Sequence, residues 1–128
     1  MYLIDTDILS AARRPDRAPH LRAWFAGKAE ADLHLSAITI GEIERGIRRQ
    51  DRRDPDFATD LRGWLDRTLQ VFADRILPFG SEEARLWGRL SAEIGHTGAD
   101  LMIAATALSH GAVVVTGNAR HFSATGVD

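Results

Sequence analysis

Met1-Tyr2-Leu3-Ile4-Asp5-Thr6-Asp7-Ile8-Leu9 opens the chain, and the reading of this stretch decides the fold. A short apolar run ends abruptly in two acids and then turns apolar again. Such a run predicts a buried strand over residues 2–4. Asp5 then stands where the strand leaves the sheet, and Asp7 where a helix begins. In an open α/β sheet, ligands bind at the carboxyl ends of the strands, which makes Asp5 a site candidate. The structural alternative is that Asp7 caps the helix and Asp5 is a solvated turn residue. These nine residues alone leave both readings open.

Working outward, short β-like segments alternate with longer segments of helical spacing. A short helix is expected over residues 8–13, stopping near Pro15, and a second over 17–26 with Leu21, Trp24 and Phe25 on one face. Leu33-His34-Leu35 predicts the second strand. Residues 39–49 predict a helix with Ile40, Ile43 and Ile47 as its apolar face, followed by a solvated, charged turn over 48–54. Asp54 is then placed to cap a further helix with Pro55 in its first position. Phe57, Leu61, Trp64, Leu65, Leu69 and Phe72 recur at helical spacing. Their seam is large enough to suggest packing against a partner or a second copy as well as the core. Residues 75–78 supply a third strand. Ser81 is expected to cap a helix carrying Ala84, Trp87, Leu90 and Ile94 and ending at Gly95. An alanine-rich helix over 100–110 closes at Gly111, and 112–115 is the clearest strand of the chain. The alternation predicts an α/β fold: a three-layer α/β/α sandwich around a central, mainly parallel sheet. No repeat, low-complexity tract or linker interrupts it, so residues 1–128 are read as a single domain.

Composition narrows the function classes. With 128 residues, 45% of them hydrophobic, the chain can bury one substantial core. A net charge of −2 does not announce a nucleic-acid binder. Fifteen of the sixteen basic residues are arginine, which suits bidentate phosphate recognition but fits codon bias equally well. The absence of cysteine excludes disulfides, zinc–thiolate sites and thiol nucleophiles. No apolar run approaches the roughly 20 residues that span a bilayer, and the start of the chain lacks signal-peptide character. A soluble, cytoplasmic protein with no membrane partner is the expectation.

The remaining acids give the site its chemistry. Thr39-Ile40-Gly41-Glu42 fits a capping box, with Glu42 reaching back to the cap residue. Gly41 and Gly46 beside Glu42 also suggest space kept clear, since glycine costs helix stability. Asp100 opens the alanine-rich helix, where the helix dipole favours a carboxylate. That helix is apolar enough to be central, so its start opens at the sheet edge where Asp5 emerges. Thr116 and Asn118 follow the last strand at the same edge. Asp5, Glu42 and Asp100 would then share one pocket. Three clustered carboxylates repel unless protonated or neutralised by a cation, and oxygen-only ligands point to Mg²⁺ or Mn²⁺. Such a site suits activation of water and in-line attack on a phosphodiester. The five histidines show no ligand spacing and are read as structural or surface residues.

In this order and spacing, the motifs resemble the PIN-domain ribonucleases of the VapC toxin type. The resemblance runs through Leu3-Ile4-Asp5-Thr6-Asp7, Thr39-Ile40-Gly41-Glu42-Ile43 with Gly46, and Asp100-Leu101-Met102-Ile103-Ala104-Ala105-Thr106-Ala107. It ends in Val115-Thr116-Gly117-Asn118 with His121-Phe122. It implies a PIN-like α/β/α sandwich and a Mg²⁺- or Mn²⁺-dependent endoribonuclease with Asp5, Glu42 and Asp100 around the metal. Asn118 would be an auxiliary ligand or water-positioner, with Asp7 and Thr116 in supporting places. It further implies hydrolysis of tRNA or rRNA to a 5′-phosphate and a 3′-hydroxyl, a homodimer, and a small antitoxin. The antitoxin would form a hetero-oligomer with the toxin, lay a helix in a groove, and carry the operator-DNA contacts itself. Three positions depart from the family pattern. Asp7 replaces the usual Asn, Gly117 stands where Arg is common, and the sequence stops at Asp128, where relatives often continue into a last strand. Arg13, Arg14 and Arg17, with Arg45, Arg48, Arg49, Arg52 and Arg53, are phosphate-contact candidates or simply solvated turns.

Two rival readings are weaker. A strand ending in Asp5-Thr6-Asp7 also begins haloacid-dehalogenase-type phosphatases, but these need a later lysine and a downstream acid pair. The only lysine is Lys28 and no Asp-Asp pair follows. A non-catalytic PIN-like module that binds RNA or antitoxin is disfavoured because every acid of the constellation is retained.

Overall fold

The computed structural model describes residues 1–127. Four strands, β1 (Tyr2–Ile4), β2 (Leu33–Ser36), β3 (Ile76–Leu77) and β4 (Val113–Val115), form a sheet in the order β3-β2-β1-β4. All neighbouring pairs are parallel, with Tyr2 opposite Leu33 and Val113, and Leu35 opposite Ile76. Helices α1 (Thr6–Ala12), α2 (Pro19–Ala26), α3 (Ala37–Arg53) and α4 (Pro55–Val71) lead from β1 through β2 to β3. Helices α5 (Ser81–Ile94) and α6 (Ala99–His110) return the chain to β4, and α7 (Ala119–Ser123) follows. No strand follows β4 among the described residues.

The sheet separates two cores because successive side chains of a strand face opposite ways. Ile4, Leu33 and Leu35 join Ile43, Ile47 and Leu65 on the face covered by α1 to α4. Leu3 faces the other way, into Leu90, Ile103, Ala104 and Ala105. Small alanines let α6 lie close against the sheet, and Leu101, Ile103, Ala104, Ala105, Thr106 and Ala107 are all inaccessible to solvent. The large α4 seam goes into the first core, where Leu61, Trp64, Leu69 and Phe72 pack around the buried cluster. Gly95 (φ 95°) and Gly111 (φ 65°) end α5 and α6 in the left-handed conformation that favours glycine.

Three helix starts differ from the sequence expectation. Ser36 caps α3, its hydroxyl oxygen accepting from the Ile38 amide at 3.1 Å, so Thr39 lies inside the helix and the Thr39–Glu42 capping box does not form. Asp5 caps α1, so Asp7 falls in the first turn and is not the cap. Gly80 stands at the cap of α5 in place of Ser81, and Glu83 accepts from its amide at 3.2 Å. The charged run after residue 48 is helical to Arg53, not a turn. Arg and Gln are good helix formers, and Arg52 and Arg53 complement the negative end of the helix dipole. Only Asp54 is left between α3 and α4, capping the latter through the Phe57 amide at 3.2 Å.

The strand order places β1 between β2 and β4. From β1 the chain runs outward to β2 and β3, then returns to β4 on the other side. Strand order therefore reverses between β1 and β4. In open α/β sheets the crevice beyond the carboxyl ends of such a pair is where ligands bind.

Candidate active site

Asp5 follows β1 and Thr116 follows β4, so both stand at that reversal. The Asp5 amide donates to the Val115 carbonyl at 2.9 Å, extending the β1–β4 ladder to the acid itself. The residue is 4% exposed. Oδ1 accepts from the Thr6 amide at 2.8 Å and Oδ2 from the Thr116 hydroxyl at 2.7 Å. Burial pushes the carboxyl up to about 6. The hydrogen bonds from Thr116 and Thr6 oppose that shift, and the charge of Asp7 adds to it. Asp5 is thus a carboxylate held in place but short of positive charge.

Thr6 links Asp5 to α3. Its hydroxyl donates to Glu42 Oε1 at 2.6 Å, and its oxygen lies 3.1 Å from the hydroxyl of the buried Thr39. Glu42 is therefore oriented by α1 and not by its own helix start. Asp7 turns toward the segment after β4, where Oδ2 accepts from the Gly117 amide at 3.1 Å and from Asn118 Nδ2 at 3.2 Å. A Cβ at position 117 would sit 2.8 Å from that oxygen. Glycine at 117 therefore makes room for the acid at position 7. Asn118 in turn donates its amide to the Thr116 hydroxyl at 2.9 Å.

Asp100 lies in the first turn of α6, and its Oδ2 stands 3.0 Å from His121 Nδ1. Sequence reasoning gave His121 no role, because a lone histidine 21 residues downstream carries no local signal of this pairing. A single stretch, Thr116 to His121, thus provides partners to Asp5, Asp7 and Asp100, while Thr6 provides one to Glu42. Among the described residues no group of three His, Asp or Glu side chains is gathered closely enough to hold an ion as it stands. Asp5, Asp7 and Glu42 are joined through Thr6 and the Thr116–Asn118 turn, whereas Asp100 is held separately by His121. Arg13 is half-buried, its guanidinium 5.2 Å from the centre of the Phe57 ring, at the edge of a groove that begins at Thr6 and Glu42. Arg14 is half-buried near it on the segment after α1.

Comparison with known proteins gives a consistent result. The PIN domain family model matches residues 2–127. The VapC ribonuclease Y4jK of Sinorhizobium fredii is 34% identical over 100% of this chain and 94% of its own length. Toxin FitB of Neisseria gonorrhoeae is 32% identical over 99% of this chain and 94% of its own. The crystal structure of FitAcB from Neisseria gonorrhoeae matches with a TM-score of 0.85 at 32% identity, covering 99% of this chain and 94% of that one.

Proposed function

The chain belongs to the PIN-domain family, in its VapC-type branch, and from that premise we propose that it is a Mg²⁺- or Mn²⁺-dependent endoribonuclease acting as the toxin of a toxin–antitoxin pair. Its substrates are structured RNAs of the tRNA or rRNA kind, and its setting is the cytoplasm. The observation that carries the reading is Asp5. It is buried at the β1–β4 reversal, fixed by two hydrogen bonds, and without an ion-pair partner among the described residues.

The donor chemistry fits a hard divalent cation. Asp5, Glu42 and Asp100 offer only oxygens, and each hydrogen-bonded carboxylate oxygen keeps a further lone pair. When bound, the ion supplies Lewis acidity toward water and phosphate. The chain supplies the positioning. The Thr6 amide and Thr116 fix Asp5, the Thr6 hydroxyl fixes Glu42, and His121 fixes Asp100. Asp7 acts on the turn, accepting from the Gly117 amide and from the Asn118 side chain and so holding Asn118 next to the acids. In-line attack by water then leaves a 5′-phosphate and a 3′-hydroxyl.

The antitoxin's place is the groove between α1, α3 and α4, about 270 Å³, with Ile43, Ile47, Leu61 and Trp64 in its lining and Glu42 at one end. An amphipathic helix of the antitoxin seated there would bring a basic side chain to the acids. Operator DNA is contacted through the antitoxin, and the toxin pairs as a homodimer within the complex.

Purified protein is expected to cleave RNA in Mg²⁺ or Mn²⁺ and to lose all cleavage in EDTA. Asp5→Ala and Asp100→Ala are each expected to lower the rate at least 1000-fold, the scale of losing a centre that activates the nucleophile, with unchanged circular dichroism. Cleavage that persists in EDTA, or in both variants, would overturn the metal-nuclease reading.

A further inference from the structure

Because α3 runs on through the charged stretch, the face that carries Glu42 also carries arginines. At 100° per residue, Arg49 and Arg53 fall within about 20° of Glu42 around the helix axis, and Arg45 within about 60°. Along the axis, Arg49 and Arg53 lie about 10 and 16 Å from Glu42. Between them along the axis, about 40° around from Glu42, stands Gly46, where an added Cβ would meet nothing within 4 Å, so the step between the acid and the guanidiniums is bare.

The acids of α3 lie farther around. Arg48, at the border of the stripe, pairs with Glu44 at 3.4 Å and reaches Asp51 at 3.9 Å, and Asp51 also binds Arg62. Among the described residues Arg45, Arg49, Arg52 and Arg53 have no acidic partner, and all four are exposed. With Arg48 they line an open recess of about 440 Å³. Positive charge without acidic partners, in line with Glu42 and reachable by an extended backbone, has the geometry of a phosphate track. A planar guanidinium suits bidentate phosphate contacts.

We propose that the α3 arginine stripe, centred on Arg49 and Arg53 beyond the bare step at Gly46, holds the phosphates of the RNA strand flanking the one cut at the acidic centre. This rests on the nuclease reading for what happens at Glu42, but the binding it describes can be measured apart from cleavage.

The test uses the full chain and a fluorescent 12-nucleotide single-stranded RNA, with binding followed by anisotropy in Ca²⁺ across a NaCl series and cleavage followed in Mg²⁺. The Arg49→Gln/Arg53→Gln variant should bind at least tenfold more weakly. The slope of log K against log salt should flatten by about 1.4, the loss of two single-strand phosphate contacts. KM should rise by a similar factor while kcat stays within twofold, and cleavage of a dinucleotide too short to reach the stripe should be unchanged. Arg85→Gln/Arg89→Gln on α5 removes the same charge from exposed positions in the other helical layer and should change neither slope nor KM. A wild-type slope in the α3 variant, or an equal change in the α5 control, overturns the proposal. So does a variant that loses only its binding to an acidic protein partner and keeps its RNA slope. RNA binding with the expected slope change, but no cleavage by the wild type, leaves the stripe standing and overturns the nuclease reading instead.

Discussion

Asp5 is asked to be buried and charged at once, and its stability cost follows from the sign of its shift. In the unfolded chain the carboxyl loses its proton near the ordinary value of about 4. In the folded, metal-free protein it holds the proton up to about 6, chiefly because of burial. The folded state therefore binds more protons across that window, and its stability falls as pH rises from about 4 to about 6. Above that the loss is complete, bounded by about 3 kcal/mol for a shift of about two units and smaller where water reaches the site. An asparagine at this position keeps an oxygen for the Thr6 amide and turns a donor toward the Thr116 hydroxyl. Asp5→Asn is thus expected to melt several degrees higher than wild type at pH 7.5 in EDTA, with the two curves converging near pH 4.5, while losing activity. Equal melting temperatures at pH 7.5 would mean that Asp5 ionises at no cost. The sequence marked Asp5 through its place after an apolar run. It did not separate the roles of Asp5 and Asp7, since which acid caps α1 depends on the Asp5 amide pairing with Val115 across the sheet, a contact 110 residues away.

Helix α3 shows how local patterns mislead at the scale of an element. Thr39 and Glu42 have the spacing of a capping box, and Ser36 looks like the end of a strand. Both descriptions are locally correct, but β2 ends at Ser36 and the same residue starts the helix. Once the helix begins there, Thr39 is carried inward and Glu42 is free to meet Thr6. Ser36 is inaccessible to solvent, so the Ile38 amide has no water to replace a lost acceptor. Ser36→Ala should cost about 1–2 kcal/mol in urea denaturation, whereas Glu42→Gln should leave the midpoint nearly unchanged. A larger loss from Glu42→Gln than from Ser36→Ala would restore the capping box. The far end of α3 departs from its local pattern for a related reason. Dense charge resembles a loop in composition, yet arginine and glutamine continue a helix well when acids on one side pair with them. The added turns are what bring Arg53 into line with Glu42.

The whole molecule assembles its site from pieces that periodicity cannot place. Alternating strand and helix segments specify the layers and parallel strands of the α/β class, and the sheet agrees. Strand order is another matter, because nothing in the Val113–Val115 segment says that it pairs with β1 rather than with the preceding β3. That pairing creates the reversal and sets Thr116 against Asp5. The site thus depends on four segments, near residues 5–9, 39–46, 99–103 and 115–121. Hydrogen exchange can ask whether they act as one centre. Without metal, α2 should exchange fastest among the longer helices, since none of its residues is buried. Adding Mg²⁺ stabilises whatever conformation binds it, and the protection should appear in all four segments with one common midpoint, leaving α2, α4 and α5 unchanged. Protection limited to residues 5–9 and 115–121 would separate Asp100 and Glu42 from the ion held by Asp5. The pairing of Asp100 with His121 would then be a structural tie between α6 and α7.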